Sequence, residues 1–171
     1  ANHATDGVDI PFYEQLPIAD PYTFYYRSGS VYKKVGYGAE VAGFPVPIPM
    51  DDHDVIYELP LEYGDASTST SNYQIDIPTL AYYGFSQTRT NIVDGWGAIT
   101  TPAGSFDVLR VKTTLAGRDS ISLDTLSIGF AIQRPLVTEY KWLAHGQRVP
   151  ILQINTTEIF GLEIVTEVWF Y

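Results

Sequence analysis

Apolar and polar residues alternate with period two along most of the chain, and no segment keeps a helical period over three turns. The clearest stretch is 88–114, TRTNIVDGWGAITTPAGSFDVLRVKTT. Phe106, Val108, Leu109 and Val111 form a return strand, with Asp107, Arg110 and Lys112 on its other face. Pro102-Ala103-Gly104 supplies the turn, because proline presets φ at the first central position and glycine permits positive φ. Trp96 between Gly95 and Gly97 predicts a bulge or a close backbone approach, with the indole over the neighbouring strand and fixing the curvature of the sheet.

The rest of the pattern is read around this hairpin. Residues 22–41 predict a first hairpin turning at Ser28-Gly29-Ser30. Proline at 45, 47 and 49 predicts a polyproline crossing over the surface. Residues 55–59 form a strand ending at Pro60. The polar run 67–71 fits either a loop or hairpin tip, or an edge strand with Tyr73, Ile75 and Ile77. Residues 78–85 connect into the central hairpin. Ala116-Gly117-Arg118-Asp119 predicts a turn, and 120–130 a strand after it. A strand over 138–143 turns at Gly146-Gln147 into a strand running to Ile154. In the last segment Leu162, Ile164, Thr166, Val168 and Phe170 share one face. The predicted fold is all-β: a curved antiparallel sheet, open barrel or two-layer β-sandwich. Residues 1–21, with three prolines and no sustained period, form an extended N-terminal arm, and 22–171 a single domain.

Composition narrows the function classes. Ten basic against 20 acidic residues give a net charge of −10. That balance argues against nucleic-acid binding and against docking on anionic lipid. The absence of cysteine excludes disulfides, thiolate metal sites and a cysteine nucleophile. No apolar run reaches the length of a membrane span, so no membrane insertion is expected. Ala1 and the single Met at 50 are expected of a mature or trimmed chain.

Three blocks, LPLEYGD (59–65), VDGWGAITTPAGSFDVLRVKT (93–113) and YKWLAHGQRVPILQI (140–154), occur in order. Together they make most of 55–170 resemble a family of secreted β-rich proteins from Bacteroidetes-type bacteria, exported by the type IX system. The resemblance implies an extracellular or cell-surface setting and brings no catalytic residue with it. The C-terminal sorting domain usual in such proteins is expected to have been removed during export.

Candidate chemistry is sparse. Asp51, Asp52 and Asp54 offer hard oxygen ligands to Ca²⁺, though the spacing is not that of an EF-hand and a solvated acidic turn has the same composition. No nucleophile elbow or phosphate loop occurs. With 20 acids, no local signature selects a glycosidase pair. Exposed aromatics are the best ligand-binding candidates, namely Tyr82, Tyr83, Trp96 and Trp142, with Trp169 behind them; packing within the sheet would use the same residues. For assembly, the candidates are Phe12, Tyr13 and Leu16 in the arm and Leu162, Ile164, Val168 and Phe170 in the last strand, which is apolar on both faces. The expected function is a non-catalytic structural protein of the cell exterior, of filament or surface-assembly type. It would join to copies of itself or to another surface protein through the terminal strand or the arm. A glycan-binding β-module is the second expectation, and an extracellular hydrolase a distant third.

Overall fold

The computed structural model describes residues 18–41, 44–77, 81–123 and 128–171. The expected arm, with Phe12, Tyr13 and Leu16, lies outside them apart from its last four residues. The described residues form one antiparallel ten-stranded sheet without a helix, not closed into a barrel. The strands are β1 (Ile18–Arg27), β2 (Val31–Val41), β3 (Phe44–Glu58), β4 (Ala66–Ile77), β5 (Ala81–Thr101), β6 (Gly104–Leu123), β7 (Ile128–Gln133), β8 (Val137–Ala144), β9 (Leu152–Ile159) and β10 (Leu162–Phe170). Their order is that of the chain, except that β6 is long enough to take two strands along one edge. β8 pairs with Val108 to Leu115 and β7 with Arg118 to Leu123. The free ends of the sheet order are β1 and β10.

Several expectations change. The proline run is not a polyproline crossing: Pro45, Pro47 and Pro49 lie in β3, opposite Glu40, Gly38 and Gly36 of β2. Prolines two apart place every missing N–H on the same edge, so the other edge still pairs. The edge toward β4 is correspondingly bare, with a single bridge between Asp52 and Asn72. Residues 67–71 resolve as part of β4, in full register with β5. The supposed connection 78–85 is already strand from Ala81. β1 takes in Ile18 to Pro21, given above to the arm; Pro21 falls at a register shift on an edge strand, where no ladder donor is needed. Ala116 to Asp119 is not a turn but the middle of β6. Gly117 serves close packing there, since a Cβ would come within 3.3 Å of the Phe85 ring.

The sheet folds back on itself at the β3–β4 junction. Met50 of β3, Tyr73 of β4 and Phe85 of β5 form the apolar core, joined by Tyr37, Ile48, Ile75 and Tyr83. Tyr37 and Tyr73 meet edge-on at 5.1 Å across the fold. Further along, the second half of β3 crosses the strands it no longer pairs with. Ser69 donates to the Val55 carbonyl, and the Asn91 amide to the Ile56 carbonyl. One face of β4, β5 and β6 is thereby covered, and its reverse stays open.

The interior is unusual for a β-protein. Among the described residues nine hydrophobic and nine polar or charged residues are buried, so hydrogen bonding carries as much of the interior as apolar contact.

Candidate functional site

The covered face holds an ion-pair network. Arg89 of β5 makes a two-pronged pair with Asp54 of β3, with Nε to Oδ1 at 2.7 Å and Nη2 to Oδ2 at 2.9 Å. Both residues are buried. Lys34 lies 3.9 Å from the same carboxylate. Arg89 Nη1 is 3.7 Å from Glu139 of β8, an ion pair too long for a hydrogen bond, and no acceptor meets it among the described residues. Glu139 accepts from Lys141 at 2.8 Å. Burial pushes the Asp54 carboxyl up, but the hydrogen bonds and charge of Arg89 outweigh it and hold the group below the usual carboxylate range. Glu139 is held low against its burial by the charges of Lys141 and Arg89. Next to this pair, Thr113 donates to the Asn91 side-chain carbonyl at 2.7 Å.

A second cluster caps the apolar core. Arg134 pairs with Asp119 through Nε at 2.8 Å and lies over the Phe85 ring at 4.6 Å. Tyr83 donates to Asp119 at 2.7 Å, and its hydroxyl is pushed up to about 12 by burial and then by that hydrogen bond. Both clusters are sets of opposite charges paired with one another, with Arg89 Nη1 left without an acceptor among the described residues. They read as structure and offer no nucleophile or open acid.

The open face differs. Two rows cross it in register. Gly95, Arg110, Trp142, Leu152 and Phe170 form one row, and Ile92, Lys112, Tyr140, Ile154 and Val168 the next. The cations lie on the aromatics: the Arg110 guanidinium is 5.9 Å from both the Tyr140 and the Trp142 ring, and Lys112 Nζ is 5.6 Å from Tyr140. Asp94, the extra residue of a bulge between Val93 and Gly95, turns to accept from Arg110 Nε at 2.8 Å and Nη2 at 3.1 Å. Gly95 lies under that side chain, where a Cβ would meet Arg110 at 3.4 Å, an ordinary van der Waals contact. Past the bulge Trp96 stands 74% exposed, and Gly97, at φ +155°, lets the strand resume. The result is a depression of about 350 Å³ lined by Trp96, Ile99, Val108, Arg110 and Trp142.

Of the four expected ligand residues, Trp96 and Trp142 both border this depression but lie on opposite faces by register, Trp96 opposite Leu109 and Trp142 opposite Arg110, and the other two lie elsewhere. Tyr82 borders another hollow of about 170 Å³ beside Asp51, Asn72 and Gln74, while Tyr83 belongs to the Asp119 cluster. Trp169 is half-buried, opposite Gln153, on the reverse face from Trp142. The expectation that Trp96 is packing is corrected by its exposure. The three aspartates expected to hold Ca²⁺ do not converge. Asp54 is taken by Arg89, Asp52 accepts from Asn72 at 2.6 Å, and Asp51 faces the hollow. Among the described residues no group of three His, Cys, Asp or Glu is placed to hold a metal ion, and no helix is long and apolar enough to cross a membrane.

The terminal strand is placed at the sheet's edge, exposed along its length apart from half-buried Trp169. A bulge at Thr166 splits its apolar set, so that Ile164 points to one face and Val168 and Phe170 to the other. The single shared face read from the alternation is therefore incorrect. Arg110 and Asp94 escaped the sequence reading. The available signal was one arginine in register with a glycine bulge inside an aromatic row. No family model, characterised protein or solved structure matches the chain.

Proposed function

We propose that this is a non-catalytic structural protein of the cell exterior that joins to copies of itself, β10 of one copy adding to the β1 edge of the next. The carrying observation is the chemistry of β10. Its outer edge pairs with no strand among the described residues, and Leu162, Ile164, Val165, Val168 and Phe170 are all exposed. Edge strands are ordinarily blunted with lysine, proline or inward charge. Here two glutamates and one bulge are the only devices. The exterior setting rests on the resemblance of the blocks at 59–65, 93–113 and 140–154.

The charge of the two edges favours a head-to-tail arrangement over a two-fold one. β10 carries Glu163 and Glu167, on opposite faces because of the bulge at Thr166. The other end of the sheet carries Arg27 on β1, with Phe24 and Tyr26 exposed. Acidic apolar edge and basic aromatic edge complement one another, and a contact between unlike edges propagates into a filament. Phe160 adds to this. It occupies the two-residue turn before β10 at φ +53°, a conformation bulky residues avoid, and its ring is fully exposed.

Sedimentation velocity over a concentration series tests the reading. The wild-type protein should grow with concentration. Val165→Lys with Val168→Lys should hold it monomeric, and Glu163→Arg should do so until Arg27→Glu is added. A wild-type chain that stays monomeric at millimolar concentration, or a lysine variant that assembles unchanged, sinks it.

A further inference from the structure

We propose that residues 8–12 of the arm close the outer edge of β7 as an added antiparallel strand of the same chain, a contact distinct from the β10 edge and independent of the assembly reading. β7 is the least guarded strand of the sheet. All six of its residues are exposed, and among the described residues it pairs with β6 alone. Its sequence, Ile128-Gly129-Phe130-Ala131-Ile132-Gln133, holds no charge and no proline, and its register with β6 runs without a bulge. β1 has Pro21 and register shifts, and β10 has two glutamates and a bulge. An edge without such devices is a template for uncontrolled pairing unless something covers it. Ile128, Phe130 and Ile132 are 52%, 46% and 51% exposed, on the same face as the core residues Tyr83 and Phe85.

The chain that precedes β1 supplies a matching strand. Residues 8–12, outside the described residues, read Val8-Asp9-Ile10-Pro11-Phe12, apolar at every second position. Set antiparallel with Ile10 opposite Phe130, they put Val8 opposite Ile132 and Phe12 opposite Ile128, so three apolar pairs fall on one face. Pro11 is then opposite Gly129 and Asp9 opposite Ala131, small residues of the open side. Asp9, the only charge of the five, shares that side with exposed Arg118. The main-chain bonds to β7 fall to Val8, Ile10 and Phe12. The missing N–H of Pro11 faces solvent, which is where proline is tolerated on an edge strand.

Direction and reach agree with this pairing. Ile18 pairs with Val41 at the end of the sheet where β2 meets β3. Ile77, Ala81, Leu123 and Ile128 form one row at that same end. A chain coming from β7 to Ile18 therefore runs toward Ile128, antiparallel to β7. Tyr37 of β2 meets Tyr73 of β4 across the fold, which sets β1 about level with β5. The slot beyond β7 is then three strand spacings aside and one layer away, about 18 Å. The chain from Phe12 to Ile18 spans about 20 Å when extended.

The test uses the full chain, which has no cysteine of its own. Opposed residues on antiparallel strands lie about 4.5–5.5 Å apart at Cα, within disulfide reach. Ile10→Cys with Phe130→Cys should cross-link within one chain under oxidised glutathione, about tenfold or more faster than Ile10→Cys with Val165→Cys. Phe130→Lys, with the fold intact by circular dichroism, should speed cleavage after Glu14 by a glutamate-specific protease about tenfold. Equal rates for the two cysteine pairs, or unchanged cleavage in Phe130→Lys, overturn the proposal. So does a mixed dimer formed preferentially from the single variants Ile10→Cys and Phe130→Cys, because the segment is then lent between copies. The Val165→Lys, Val168→Lys background should give the same cross-link within one chain, so failure of the β10 assembly leaves this result standing.

Discussion

Under the β2–β3 hairpin the sheet buries Asp54, Arg89, Asn91 and Thr113; on the reverse it carries Tyr140, Trp142, Val168 and Phe170 at the surface. The two sides have exchanged the roles that burial normally assigns. An interior of matched charges adds little net stability over an apolar one, because desolvation consumes most of the Coulombic gain. An aromatic exterior forgoes burial that would be worth roughly 25 cal/mol per Å² of apolar surface. Neither choice is explained by folding alone. The covered face fixes the geometry of the corner, and the proposed assembly would use the exposed apolar positions for contact.

Breaking the covered face should have the largest effect. Arg89→Met leaves Asp54 buried without its main partner and should cost about 3–5 kcal/mol of unfolding free energy in urea titration. Adding Asp54→Leu removes the stranded charge and should recover most of the loss. If the single variant costs under about 1 kcal/mol, the pair does not hold the corner.

Acid should act on the same side. Asp54, Asp119 and Glu139 are all held below their ordinary values of 3.8, 3.8 and 4.5. The unfolded chain therefore takes up these protons at higher pH than the folded one. The stability they contribute is present above the ordinary values and is lost as pH falls below them through the folded-state pKa. Urea midpoints measured from about pH 5 to about pH 3 should fall steeply in the wild type and more gently in the Arg89→Met, Asp54→Leu variant. Equal slopes would remove Asp54 from the acid response.

The alternation made strands and hairpins legible: the turns at Ser28-Gly29-Ser30 and Pro102-Ala103 fall where glycine and proline place them, and the one expected at Gly146-Gln147 falls one residue earlier, at His145-Gly146. It did not reveal which face of each strand is covered. Arg89, Asn91 and Val93 alternate with Thr88, Thr90 and Ile92, and both sets read as mixed. Coverage is decided by where β3 crosses, a contact between residues about 35 apart in sequence that no local pattern encodes. The same holds for the site. Gly95 and Trp142 are far apart along the chain and flank Arg110 from either side because β5 and β8 both pair with β6 there. The turn read at Ala116 to Asp119 failed because Gly117 is there for packing against Phe85, and a glycine gives the same signal for either purpose. In β10 the bulge at Thr166 inverted the expected face, since a one-residue slip redirects every side chain beyond it.

The smallest expected change in stability bears most directly on the open side. Phe160 holds a left-handed φ of +53° with its ring fully exposed, so the fold gains nothing visible from it. Asparagine tolerates that conformation and suits the first position of a two-residue hairpin turn ahead of Gly161. Phe160→Asn should therefore raise stability, by about 0.5–1 kcal/mol, as a higher thermal midpoint of the dilute, monomeric protein. Concentration-dependent growth in sedimentation should weaken in the same variant, because an exposed aromatic beside an apolar edge is the kind of anchor that carries interface energy. A stability gain bought with lost association is the pattern of a residue kept for contact. If Phe160→Asn lowers the midpoint instead, the phenylalanine supports the hairpin itself, and the exposed side loses one of its two arguments for being a contact surface.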